Sequence, residues 1–298
     1  MATFYTAKFN FNEKIHKIRE GEENLAELLE KVFTGINQDA RIVDDKDEEI
    51  TYKFIQLFHD QQDYVLNGTL VKYYDGINSH YDEIEDDVID NPANNKADYV
   101  SFSFDIHKEV IGFVPKQTFT KESFIKYFTL LVEECVPEVG NVVLILINDA
   151  GQLEEKFKRI KVLKEIEVSL IPSNSDQKSI GELLEILGED VKDTNAQNLK
   201  MKLTGTIKEP LKKNSKLINE FISLAKKAYA KVRAIGRDDN GNPFEIDSEK
   251  HTLLKRPVHN SNRNSLPVIA ELTEEAGKIY TAQRANEVMR NEREEGRE

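Results

Sequence analysis

The sequence predicts an α+β protein: mostly antiparallel sheets with packed helices, two domains and a long C-terminal helix. Three observations carry this. Segments rich in β-branched and aromatic residues alternate with polar ones, apolar residues at three- and four-residue spacing mark helices between them, and the charge balance reverses sign late in the chain. The opening residues alternate, with Thr3, Tyr5 and Ala7 on one side and Phe4, Thr6 and Lys8 on the other, which reads as a strand. Glu22–Ile36 places Leu25, Leu28, Leu29, Val32 and Phe33 on one helical face, with Gly35 near its stop. Ile50–Phe58 and Thr69–Tyr74 read as strands around an Asn67-Gly68 turn, and Tyr99–Ile106 with Val110–Val114 as a second hairpin. Asp75–Lys96 between them, rich in Asp and Glu, reads as a solvated loop. Thr120 caps a helix over Thr120–Glu134 whose buried face is Phe124, Tyr127, Phe128, Leu131 and Val132. Asn141–Ile147 reads as a buried strand, and Glu165–Ile171 as a strand turning Ile166, Val168 and Leu170 inward.

The polar run Pro172–Asp176 places a boundary after an acidic N-terminal α+β domain spanning residues 1–172. Ile180–Leu187 reads as a short helix stopped by Gly188. A basic α+β domain is expected over residues 177–264, and residues 265–298 as a C-terminal helix with a frayed tail. From Leu199 to Asn264 there are 15 Lys and Arg against 7 Asp and Glu, although the whole chain carries a net charge of −13. Lys200 and Lys202 share one strand face with Thr204 and Thr206, opposite Met201 and Leu203. Pro210 suits the first turn of the next helix, which buries Leu217, Ile218, Phe221 and Leu224 and leaves Lys212, Lys213, Lys216, Lys226 and Lys227 on the wet side. Lys231 and Arg233 point away from Ala230, Val232 and Ala234, ahead of Arg237 and an Asn240-Gly241 turn. Lys255, Arg256 and Arg263 extend the basic run in a loop, and Pro267–Arg293 carries a long amphipathic pattern.

Composition excludes several classes. The 298 residues are 39% hydrophobic and 32% charged, which supplies a core and argues against wholesale disorder. Cys135 stands alone, so an intramolecular disulfide or a Cys-rich zinc module is excluded by count, and a reducing cytoplasm fits. The longest apolar run, Val142–Ile147, falls well below the roughly 20 residues of a membrane helix. A basic segment inside an acidic molecule points to a polyanion, bound through phosphates with little base discrimination. The competing reading is an ordinary solvated charged face.

No GxGxxG, GxxxxGK[ST] or GxSxG string is present, and no cofactor, metal or catalytic residue is assigned. Asp149 with Glu154, Glu155 and Lys156 superficially offers a nuclease site, but their helical setting does not converge carboxylates on Mg²⁺. Glu245, Asp247, Glu249 and Lys250 read more simply as a polar strand edge. His107-Lys108-Glu109 lacks the cysteines a zinc deaminase needs. Phe102 and Phe104 read as core rather than a base-stacking platform. A metal-dependent nuclease and a DNA-independent protein-interaction module are the alternatives to nucleic-acid binding.

The FYTAKF opening, LAELLEKVF in the first helix, the Tyr99–Pro115 hairpin through Ile111, Gly112, Phe113 and Val114, and the Lys200–Arg237 strand-helix-strand resemble the RexA-like phage-exclusion proteins, including the DNA-binding component of Kiwa anti-phage systems. The resemblance implies a cytoplasmic homodimer that binds double-stranded DNA with little sequence preference in anti-phage defence, paired with a membrane-protein partner. By position it implies that Lys200, Lys202, Lys212, Lys213, Lys216, Lys226, Lys227, Lys231, Arg233 and Arg237 contact phosphates, with Lys255, Arg256 and Arg263 extending the surface. The acidic first domain departs from that pattern, and the Pro172–Asp176 linker offers a hinge by which the basic unit swings clear.

Overall fold

A computed structural model of the chain describes residues 1–14, 17–18, 21–170 and 199–295. The expected Ile180–Leu187 helix and the Pro172–Asp176 linker lie outside the described residues. The chain runs through β1 (Ala2–Phe11), α1 (Leu25–Gly35), β2 (Ile42–Val43), β3 (Thr51–Asp60), β4 (Val65–Asp82), β5 (Asp87–Asp105), β6 (Val110–Phe113), α2 (Lys121–Cys135) and β7 (Val142–Leu146). It continues with α3 (Ala150–Arg159), β8 (Val162–Leu170), β9 (Leu199–Thr204), α4 (Lys216–Lys226), β10 (Ala230–Arg237), β11 (Pro243–Asp247), β12 (Lys255–Val258) and α5 (Leu266–Glu295). The expected α+β class holds, with antiparallel pairing throughout two sheets.

The larger sheet has the order β12-β1-β6-β5-β4-β3-β2, with β7 also paired to β1. Alternation along β1 sends Ala7, Phe9 and Phe11 to one face, where Leu28, Val32 and Phe33 of α1 and Phe124, Phe128 and Leu131 of α2 complete the main core. Both helices begin on the side-chain caps their sequences advertise: Asn24 accepts from the Ala26 N–H at 2.9 Å and Thr120 from the Ser123 N–H at 3.2 Å. The opposite face of β1 carries Phe4 and Lys8 and is covered by α5 through Ile269, Ala276 and Tyr280. Lys8 lies fully buried there against Glu109, and burial pushes its ammonium well below the usual lysine range. The smaller sheet, β11-β10-β8-β9, packs one face on α3 and α4 through Ile166, Val168, Val232, Ala234, Phe221 and Leu224.

Five expectations need correction. Asn67-Gly68 is not a turn; it lies inside β4, opposite Ser103 and Phe102 of β5, and the β3–β4 turn falls at residues 61–64. The Asp75–Lys96 stretch is not an irregular loop, because β4 and β5 run on past the sheet as a paired ribbon turning at residues 83–86. The strand expected at Glu165–Ile171 and assigned to the first unit is, over its described residues Glu165–Leu170, part of β8, an inner strand of the second sheet between β9 and β10. Lys255–Val258, expected in a loop of the basic unit, is β12 and pairs with Ala2–Tyr5 at the edge of the first sheet. The C-terminal helix also extends to Glu295, taking in most of the tail expected to fray.

Candidate nucleic-acid interface

The exposed face of the smaller sheet displays Lys200 and Lys202 on β9, Glu165, Glu167 and Ser169 on β8, Lys231 and Arg233 on β10, and Glu245 and Asp247 on β11. Cross-strand register sets these residues beside one another, with Glu167 opposite both Lys202 and Arg233, and Arg233 opposite Asp247. The result is a checkerboard of opposite charges, as cross-strand pairing favours. Lys202 bonds Glu165 at 2.9 Å, Arg233 bonds Glu245 at 2.7 Å and Lys231 bonds Glu249 at 2.7 Å. A cleft of about 460 Å³ lies on this face, bounded by Lys200, Lys231 and Arg233 as well as by Glu167, Asp247 and Glu249, with Asn12 and Val143 closing it from the larger sheet. Its mixed lining gives no net attraction for a phosphate. The expected uniform cationic sheet face is therefore absent, because β8 and β11 interleave their carboxylates with the lysines of β9 and β10.

Lys226 and Lys227 are the second correction to the predicted site. Both are buried, at 3% and 1% exposure, where the end of α4 meets α5. The Lys226 ammonium bonds Glu154 of α3 at 2.8 Å and Glu287 of α5 at 3.0 Å. Tyr280 of α5 donates its hydroxyl to the Lys227 carbonyl at 2.8 Å. These lysines join helices and do not reach solvent. Arg263 is likewise engaged, donating to the Pro115 carbonyl at 2.6 Å, and Arg256 stands 4.0 Å from Glu275. Lys255 and Arg256, on β12, belong to the edge of the other sheet.

What remains is a cationic rim that follows β9 into α4. After β9 the backbone turns at Gly205, where any Cβ would come within 2.9 Å of the Glu209 carbonyl and the Leu211 nitrogen. The turn exposes Ile207 and Lys208, and the chain then returns along β8 through a Leu211–Leu163 bridge before α4 starts. Pro210 consequently precedes the helix by several residues, and Ser215 is its cap, accepting from the Ile218 N–H. Lys200, Lys208, Lys212 and Lys216 are exposed along this path and make no ion pair among the described residues. Lys213 is half-buried. It donates to the Ile160 carbonyl at 2.7 Å over the Phe157 ring, and desolvation, then Lys161, pushes its ammonium below the usual value. Lys208 was missed as a site residue because it falls between the strand and helix patterns, where periodicity says nothing about direction.

The nuclease candidates are occupied with structural work. Asp149 caps α3, accepting from the Gln152 N–H at 2.9 Å. Glu154 is held by Lys158 and Lys226, hydrogen bonds that push its carboxyl down to about 2. Lys156 donates to the His251 carbonyl at 2.6 Å, and Asp247 bonds Lys250. Among the described residues no cluster of His, Cys, Asp or Glu forms a metal site. No described helix is long and apolar enough to cross a membrane. A family profile described as Domain of unknown function (DUF4747) matches residues 3–275, a span that takes in both sheets and most of α5. No curated protein matches the chain.

Proposed function

The chain belongs to the DUF4747 family, domains of unknown function, and from the placement of its cations we propose that it binds double-stranded DNA through the phosphate backbone without covalent chemistry. The observation that carries this reading is the rim of Lys200, Lys208, Lys212 and Lys216, exposed and unbridged among the described residues, whereas the neighbouring Lys202, Lys231 and Arg233 are held by carboxylates. The N-terminus of α4 adds its positive dipole end to the same edge. The likeness of the Lys200–Arg237 unit to RexA-like proteins supports placing this binding in cytoplasmic anti-phage defence, with a homodimer and a membrane-protein partner as in those proteins.

Four phosphate contacts give a slope of log affinity against log salt of roughly −3 to −4, hence about a 10²-fold loss between 50 and 200 mM salt. Binding of a labelled duplex is measured across that range, with Mg²⁺-containing samples resolved on a denaturing gel. The expected result is intact, salt-sensitively bound DNA, with Lys212→Glu plus Lys216→Glu removing about half of the slope. A salt-independent affinity, or the full slope retained in that variant, refutes the rim; Mg²⁺-dependent cutting refutes the absence of chemistry.

A further inference from the structure

The ribbon formed by the far ends of β4 and β5 has no role in the core. Beyond Tyr73, β4 has no partner in β3, and before Phe102, β5 has none in β6, so the strand residues within 74–96 pair only with each other. The seven residues from Gly76 to Asp82 extend about 23 Å at strand rise. It departs at a register shift after Tyr74, where Asn95 adopts a positive φ and donates its N–H to Asp75 at 2.9 Å. Directly opposed pairs define its faces. Ile77 faces Pro92 and Tyr81 faces Val88, so these four share one side, with Ser79 bonded to Asp90 between them at 2.6 Å. Ile77, Tyr81 and Val88 are all more than half exposed, and Ile84 at the tip is 91% exposed. Asp82, Glu83, Glu85, Asp86, Asp87 and Asp90 rim this ridge, against Lys96 as the one Lys or Arg of the ribbon. An isolated two-stranded ribbon is marginal in water, and both of its edges are open to further pairing.

We propose that this ribbon is a docking arm for the basic rim of a second copy of the chain, the two copies exchanging arms reciprocally. The argument is complementarity. An arm against an arm would set acidic tips together, and on the cationic β12 edge of the larger sheet Arg256 already stands 4.0 Å from Glu275. The β9 rim presents Lys200, Lys208 and Lys212 around Ile207, which is 52% exposed, so it answers both the acidic border and the apolar ridge. Among the described residues β9 pairs only with β8, which leaves its outer edge open for the arm to add a strand. Two identical contacts related by a twofold close the pair and stop further growth. The arm and a DNA backbone then compete for one rim, the arm standing in for phosphate until duplex displaces it. This inference rests on the same free cations as the DNA reading but not on DNA binding to them.

The test is sedimentation of the full chain over a concentration series at low and high salt, without DNA. Wild type is expected to form a salt-sensitive dimer. Asp82→Lys, Asp86→Lys and Asp87→Lys together, or Lys208→Glu with Lys212→Glu, should each weaken it about tenfold or more by setting like charges together. Mixing the two variants should restore a heterodimer of near wild-type affinity, because its one reversed contact and its one native contact then both match in charge, and a misfolded variant would not recover. A monomeric wild type, a dimer indifferent to both sets, or a mixture that stays monomeric overturns the inference. Duplex binding by the arm variant, which keeps every rim lysine, tests the DNA reading separately.

Discussion

Replacing Lys226 by Met separates a structural lysine from a DNA-contacting one. Lys226 is 3% exposed, and its ammonium is shared between Glu154 at 2.8 Å and Glu287 at 3.0 Å. Methionine fills nearly the same volume, so the cavity contribution is small. Glu154 keeps Lys158, but Glu287, 11% exposed at its side chain, is left buried beside an uncharged thioether. Breaking one side of a buried pair costs about 3–5 kcal/mol, and the Lys158 contact that Glu154 keeps brings the expectation to the lower end, about 3 kcal/mol. At roughly 2–4 °C per kcal/mol the melting temperature falls by roughly 6–12 °C. Denaturant unfolding of the variant, with Lys216→Met as the exposed control on the same helix, measures this. The control should stay within about 0.5 kcal/mol of wild type. A Lys226→Met protein as stable as the control, with weakened duplex binding and a shallower salt slope, would refute the clamp and return Lys226 to the DNA surface.

Gly112 of β6 sits under α5, where an added Cβ would lie 2.0 Å from the Thr273 hydroxyl and 2.6 Å from the Phe4 ring; Gly112→Ala should destabilise by about 1–3 kcal/mol, read from the unfolding midpoint. Glu154 gives a pH signature. Its folded carboxyl titrates at about 2 against about 4.3 unfolded, so its stabilisation is complete above pH ~4.3 and is lost as pH falls toward 2. Because the side chain is 35% exposed, screening reduces this to on the order of 1 kcal/mol, and Glu154→Gln should flatten the stability profile in that window alone. Unfolding at pH 6, 4 and 2.5 for both proteins decides it.

Where local chemistry and tertiary packing agree, the elements were legible. Thr120 and α2, the alternation of β8, the Asn240-Gly241 turn before β11 and the β9 faces all follow from spacing and cap chemistry. The failures share a cause. Asn-Gly is a strong turn signal, but Gly68 is needed inside β4 because a Cβ there would meet Leu57 and the Phe102 ring. The β4–β5 ribbon has no buried face, so the hydrophobic alternation that announces a strand is missing, and its acids read as loop. Lys226 and Lys227 were placed in solvent on the premise that a surface helix has one buried stripe; α4 is covered by the smaller sheet on one side and reaches α5 at its end, which buries a continuous run from Phe221 to Ala225 and both lysines. The rim cations were legible by identity and charge, yet which of them stay free depended on carboxylates from β8 and β11 that no local pattern links to them.

The pairing of β1 with β12 bears on how the chain is made. Thr6 of β1 bonds the Leu254 carbonyl across 248 residues, beside the Ala2–Val258 register. At roughly 5–20 residues per second, β1 waits some tens of seconds of synthesis for that neighbour. Through that interval its Ala2–Tyr5 edge is an open hydrogen-bonding strand, and α5, which covers its Phe4 and Lys8 face, has not yet been built. The larger sheet is thus completed late, by the same stretch of sequence that delivers its covering helix.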